Sequence, residues 1–312
     1  MGFGTKASAM VCGGLIVCAA WTGCGAREHD HQRTGTPKPS SALASTAERT
    51  VMIVSGERFE AVVHCPTPSL ANGWGVLLIG GGLGNDLDWV TPGMIHLEGG
   101  ARRVTITGDP HADAPVISAD LAGRGFVVVR WSTIAIDDPL AGEWPVRSTP
   151  RTPEDLLEQC RAALALLRGV RGVRAERIAL VGHSLGAARA FTIAAEDDLV
   201  CGVVALSPAY FTPETPLLAS FVRAGMRHGL DVAAARGLPV LALFGTLDRS
   251  RVVDAAGSRA MKDSGAVEGL DVVCLNGLGH QLGPQEGDLF GPIDPGAVDH
   301  IGRWLERLAG RE

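Results

Sequence analysis

The chain has 312 residues, 46% of them hydrophobic, and a formal charge of −6. That is ample apolar material for a large core, and α/β domains of this length fold as one unit. The acidic balance, with no block of Lys or Arg, excludes nucleic acid as a partner, because phosphate binding needs positive charge clustered along one face.

The first residues read as an address rather than as structure. Lys6 precedes the apolar run Ala9–Trp21, and Thr22-Gly23-Cys24 forms a small-residue exit. A positive residue, a short apolar stretch and a small-residue exit make an export signal over residues 1–24. Gly23-Cys24 resembles the bacterial lipobox, whose cysteine receives lipid and becomes the new N-terminus; Trp21 stands where that pattern has an aliphatic residue. The expectation is an exported protein, either held at the membrane through a lipidated Cys24 or secreted. Residues 25–48 are polar, contain Pro and Ser and lack hydrophobic period. Such a stretch buries too little surface to offset ordering and is expected to be a flexible linker. His29 and His31 within it are expected to be solvated. Residues 49–312 are then the folded domain. Cys65, Cys160, Cys201 and Cys274 lie in it, and four cysteines allow three pairings or none. No CxxC or Cys/His cluster suggests a metal site, and no cofactor is called for.

From Thr50 the pattern turns to strands. Val51–Val54 and Phe59–Cys65 flank Ser55-Gly56-Glu57, which predicts a hairpin. Gly75–Ile79 is an unbroken apolar run, as in a strand buried on both faces, and it empties into Gly80-Gly81-Gly82-Leu83-Gly84-Asn85. Residues 90–114 predict a hairpin on the rim, with a strand near Arg102–Thr107. Val116–Ala122 predicts a helix and Phe126–Arg130 another buried strand. Thr152-Pro153-Glu154-Asp155 is a helix start, with Thr152 as cap and Asp155 completing a capping box. Leu156, Leu157, Cys160, Leu164 and Leu167 then recur at helical spacing. The strand Ile178–Val181 runs into Gly182-His183-Ser184-Leu185-Gly186 and a helix of small residues. Cys201–Leu206, Pro239–Phe244 and Leu270–Leu275 predict three more strands. Between the first two of these, 213–236 holds helical pieces, expected to form a small lid. Residues 297–308 predict an amphipathic helix.

Strands alternating with helices mean a doubly wound, mainly parallel sheet covered on both sides. Ligand sites in such sheets lie beyond the carboxyl ends of the strands. Ser184, Asp248, His280 and the Gly80–Gly84 loop each follow directly after a predicted strand, so all four are expected on one edge.

Their chemistry is complementary. Gly182–Gly186 has the G-x-S-x-G spacing of a nucleophile elbow, in its strand–turn–helix setting. A serine hydroxyl needs a base within hydrogen-bond reach, and the base needs an orienting group. His280 is the expected base and Asp248 the expected acid, with Asp254 as the alternative acid. His183 lies beside the nucleophile on the wrong side to act as base. His64, His96, His111, His228 and His300 lack the placement of His280. Attack on an acyl carbon builds an oxyanion, and one donor fixed in advance is worth about 3 kcal/mol. The expected donors are the backbone N–H groups of Leu185 and Gly82.

From Val51 to Leu308 the chain resembles the α/β-hydrolase superfamily. Leu77–Trp89 is similar to the HGxxGN…DW loop of its dienelactone-hydrolase-like and serine-peptidase-like members. Gly182–Gly186, Gly245–Asp248 and Gly279-His280 match the nucleophile, acid and base motifs. Gly80 stands where the family usually has His, which bears on loop rigidity. The resemblance implies a sheet of about eight strands and a serine hydrolase that cleaves an ester-like bond, a carboxylic ester or thioester, of a small acyl substrate. The same triad also serves peptidases and acyltransferases, and the fold without chemistry would serve a surface binding lipoprotein. Substrate choice would rest on the lid, the 90–114 insert and the stretch Ile134–Pro150 with Trp144.

Overall fold

The computed structural model describes residues 45–81, 87–91, 94–98, 103–107, 111–138, 151–208, 231–248, 263, 269–286 and 289–310. The export signal with Cys24, most of the linker, Gly82, Trp144, Asp254 and most of the lid lie outside the described residues.

In chain order the strands are β1 (Thr46–Val54), β2 (Glu57–Cys65), β3 (Gly75–Ile79), β4 (Val90–Thr91), β5 (Met94–Glu98), β6 (Arg103–Thr107) and β7 (His111–Ala112). After helix α1 (Asp113–Gly123) come β8 (Val127–Ala135), α2 (Pro153–Gly169), β9 (Ile178–His183), α3 (Leu185–Glu196) and β10 (Val200–Leu206). The chain closes with β11 (Val240–Gly245), β12 (Leu270–Leu275), β13 (Gln285–Glu286), β14 (Leu289–Phe290) and the final helix α4 (Pro295–Ala309).

Eight strands form one sheet in the order β1-β2-β8-β3-β9-β10-β11-β12. β2 is antiparallel to both neighbours, and every pair from β8 to β12 is parallel. The β1–β2 hairpin turns on Ser55 and Gly56, with φ of 51° and 84°. Positive φ at both central residues makes the turn whose twist matches the flanking strands. β1 begins at Thr46, inside the stretch expected as linker, because its pairing with β2 runs back to Thr46↔Cys65.

β3 and β11 are buried throughout. Their side chains alternate between two apolar layers. Leu77, Ile79 and Leu180 face one core, shared with α2 and α3. Val76, Leu78 and Val181 face the other, with Ile117 and Leu121 of α1 and Ile301, Trp304, Leu305 and Leu308 of α4. α2 starts as expected: the Thr152 hydroxyl accepts from the Asp155 N–H, and the Asp155 carboxylate accepts from the Thr152 N–H. β5 and β6 pair antiparallel, giving the expected rim hairpin. Cys65, Cys160 and Cys201 are free thiols, and Cys160 is fully buried, which pushes its thiol up to about 12. Of the expected lid, 231–236 is helical.

Candidate active site

Because β3, β9, β10, β11 and β12 are parallel, their carboxyl ends lie along one edge of the sheet. Ser184 follows β9 there, Asp248 follows the end of β11, and His280 follows β12.

Ser184 has φ 53° and ψ −116°. A non-glycine residue in this region carries about 1–3 kcal/mol of strain. The surroundings hold it there. Its N–H donates to the Leu206 carbonyl at 2.8 Å, which ties the turn to the end of β10. On the other side the elbow is pressed against the loop leaving β3. A Cβ on Gly186 would lie 2.2 Å from the Ile79 carbonyl oxygen and 2.5 Å from that of Gly80, so only glycine fits. Ser184 itself is 7% exposed. Leu185 opens α3, so its N–H has no carbonyl one turn behind it in the helix and lies at the positive end of the helix dipole.

Asp248 and His280 meet. The Nδ1–H of His280 donates to Oδ2 of Asp248 at 2.7 Å, and Asp248 is only 2% exposed. Their two turns are joined by backbone. Leu247 N–H donates to the Leu278 carbonyl at 2.9 Å and Thr246 N–H to that of Leu275 at 3.0 Å. A Cβ on Gly245 would sit 2.2 Å from the Leu278 oxygen, so the turn that carries Asp248 needs glycine to approach the turn that carries His280 this closely. The His280 turn is itself a small knot: Gly279 N–H donates to Gly283 and Leu282 N–H to Gly279, and Leu278 bridges to Pro284. His280 rides at its tip.

His183 links this unit to the elbow. Its Nε2 lies 3.0 Å from the His280 carbonyl oxygen. A carbonyl only accepts, so Nε2 carries the proton and Nδ1 is the acceptor of the neutral ring. The His183 and His280 rings lie 5.0 Å apart between centroids, and Trp89, at a φ of 53°, lies 6.2 Å from His183 on the other side. His183 therefore ties the residue before Ser184 to the backbone at His280. Gly81 completes the crowding: a Cβ there would lie 3.1 Å from Ser184 Cβ.

The fold has counterparts among solved structures. A putative dienelactone hydrolase from Klebsiella pneumoniae superposes with a TM-score of 0.56 at 13% identity, over 86% of this chain and 100% of that one. A dienelactone hydrolase-like promiscuous phosphotriesterase from metagenomic libraries gives 0.54 at 14% identity, over 85% and 99%. An esterase of Pyrococcus furiosus gives 0.54 at 15%, over 89% and 96%. The chain has the α/β-hydrolase fold. No protein-family model and no curated protein matches it.

Within that fold, Arg189 is the residue that sequence reasoning passed over. It lies on α3 at 9% exposure, and its Nη1 donates to the Gly80 carbonyl at 2.8 Å. Among the described residues no group of three or more His, Cys, Asp or Glu is placed to hold a metal ion, and no helix is long and apolar enough to cross a membrane.

Proposed function

We propose that the protein is a serine hydrolase that cleaves an ester-like bond through an acyl-enzyme. Ser184 attacks the acyl carbon while His280 takes the hydroxyl proton. The N–H groups of Leu185 and Gly82 hold the oxyanion of the tetrahedral intermediate. His280 returns the proton to the leaving group, and water, activated by the same histidine, releases the acid. Asp248 keeps the Nδ1 proton on His280 and stabilises the imidazolium.

The observation that carries this reading is the Asp248–His280 hydrogen bond at 2.7 Å, on the sheet edge where Ser184 stands in an elbow conformation. A buried carboxylate costs several kcal/mol to desolvate, and one spent on orienting a histidine beside a strained serine is what nucleophilic catalysis requires. The esterase and hydrolase names among the structural counterparts add to it. The N-terminal sequence supports export, either with membrane attachment through a lipidated Cys24 or with release of the secreted protein.

A fluorophosphonate probe, which forms a covalent bond only with an activated serine, tests the reading. Wild type labels and Ser184→Ala does not; a series of p-nitrophenyl esters then gives the preferred acyl length. An unlabelled wild type, or equal labelling of Ser184→Ala, refutes the assignment. Mass spectrometry of the mature N-terminus reads whether Cys24 is lipidated.

A further inference from the structure

Arg189 lies five residues past Ser184, in a stretch of α3 that is otherwise small and apolar: Ala187, Ala188, Ala190, Phe191 and Ala194 are all buried. The guanidinium has given up nearly all of its water, and burial pulls its pKa below the usual arginine value. A buried cation is weak evidence for stability, since an apolar residue of similar volume often serves as well or better. What Arg189 holds is therefore the informative point.

It holds the carbonyl of Gly80, at 2.8 Å. Gly80 and Gly81 share one peptide unit, and in a trans peptide the C=O and N–H point in opposite directions. Fixing the Gly80 oxygen thus fixes the aim of the Gly81 N–H. That chain passes directly over the elbow: a Cβ on Gly81 would lie 2.9 Å from the His183 oxygen and 3.1 Å from Ser184 Cβ. A charged donor makes roughly twice the bond of a neutral one.

We propose that Arg189 is the positioning residue of the oxyanion loop, holding the Gly80–Gly81 peptide over Ser184 through the Gly80 carbonyl. The proposal rests on the reading of Ser184 as nucleophile. Arg189 touches no reacting atom. It acts through the loop, on the stage of the reaction at which negative charge reaches the acyl oxygen, and so affects turnover rather than substrate capture.

The test compares Arg189→Met and Arg189→Lys with wild type, on the full chain, using the p-nitrophenyl ester that wild type prefers. A loop displaced by about 1 Å costs roughly 100-fold in kcat. Arg189→Met therefore lowers kcat, and the rate of phosphonate labelling, roughly 100-fold, with KM within about threefold. Arg189→Lys, a single charged donor on a shorter reach, recovers about tenfold of that loss. Equal kcat in wild type and Arg189→Met overturns the proposal, as does a rise in KM at constant kcat. If Arg189→Met does not fold, Arg189→Lys is read alone: a kcat at least tenfold below wild type at unchanged KM supports the proposal, and a kcat within threefold of wild type overturns it. Failure of wild type to label with the probe strikes the serine-hydrolase reading instead, so the two failures are distinct.

Discussion

Replacing Gly186 by alanine places a methyl group where backbone already lies. The new Cβ would stand 2.2 Å from the Ile79 carbonyl oxygen and 2.5 Å from that of Gly80. Real Cβ contacts essentially never fall below 3.0 Å, so the loop or the helix must retreat by at least about 0.8 Å. Neither neighbour is a side chain that can rotate away. One is Ile79, the buried end of β3, paired to β9; the other is Gly80, just beyond it, and Gly186 itself sits in the first turn of α3. Overpacking costs about 1–3 kcal/mol, and with backbone on both sides the upper end applies. For a domain of this size that is a fall in melting midpoint of about 6–12 °C. The effect on turnover is larger in proportion, because the retreat separates the loop from the elbow. A shift of about 1 Å at a reacting centre costs about 100-fold. Differential scanning fluorimetry and ester kinetics on Gly186→Ala measure both. Wild-type kcat with a midpoint shift under about 1 °C would falsify the claim that the two segments are in contact at this point.

Asp248→Asn keeps the size of the acid but presents an amide to His280, which favours the wrong ring tautomer; kcat falls about 10,000-fold with the fold retained, and stopped-flow hydrolysis checks it against circular dichroism. His183→Phe keeps an aromatic ring against Trp89 and removes the donor to the His280 carbonyl. Leaving that acceptor unpaired costs about 1–3 kcal/mol; if the cost falls on the placement of His280, kcat drops about 5-fold or more, and unchanged kinetics would show that His183 does not steady His280. Stability also depends on acid. Arg168 donates to both Asp197 oxygens, at 2.6 and 2.8 Å, and this pair holds the Asp197 carboxyl below its usual range. A depressed folded-state pKa contributes stability above the unfolded value, about 3.9, that is lost as pH falls through the lower folded one. Asp197→Asn therefore melts below wild type at pH 7, and the gap narrows as the pH drops below about 4. A gap independent of pH would assign the effect to packing.

The parts of the fold that were legible are those where one residue type dominates for a physical reason. β3, β9 and β11 are continuous apolar runs because both faces are covered, and glycine or a turn marks their ends. Ser184 and Asp248 stand out in the sequence because each follows such a run, and His280 because it follows β12, a half-covered strand of the same sheet. β8 was read as ending at Arg130, yet it continues to Ala135. Its last residues include Ser132 and Thr133, which look like loop but are buried; the Ser132 hydroxyl both donates to the Ile134 carbonyl and accepts from its N–H. The start of β1 is exposed and polar, so only its pairing with β2 reveals it. The ribbon β13–β14 is too short to carry a pattern. Arg189 was illegible for a different reason. In Ala187-Ala188-Arg189-Ala190 it reads as a solvated charge, and its burial depends on a loop 109 positions earlier in the chain. The choice of Gly82 as oxyanion donor lies outside the described residues.

The backbone bonds that join the turn after β11 to the turn after β12 have a kinematic consequence. Asp248 and His280 are delivered as one body, with their mutual distance set by main-chain contacts. Ser184 and the Gly80–Gly81 stretch form a second body, locked by the contact at Gly186. The bond from the His183 ring to the His280 carbonyl crosses the seam between the two. In the hydrolase proposed above, a substrate that wedges this seam open or draws it closed would tune the reach from His280 to Ser184, and tolerance for acyl groups of different bulk would follow from that seam.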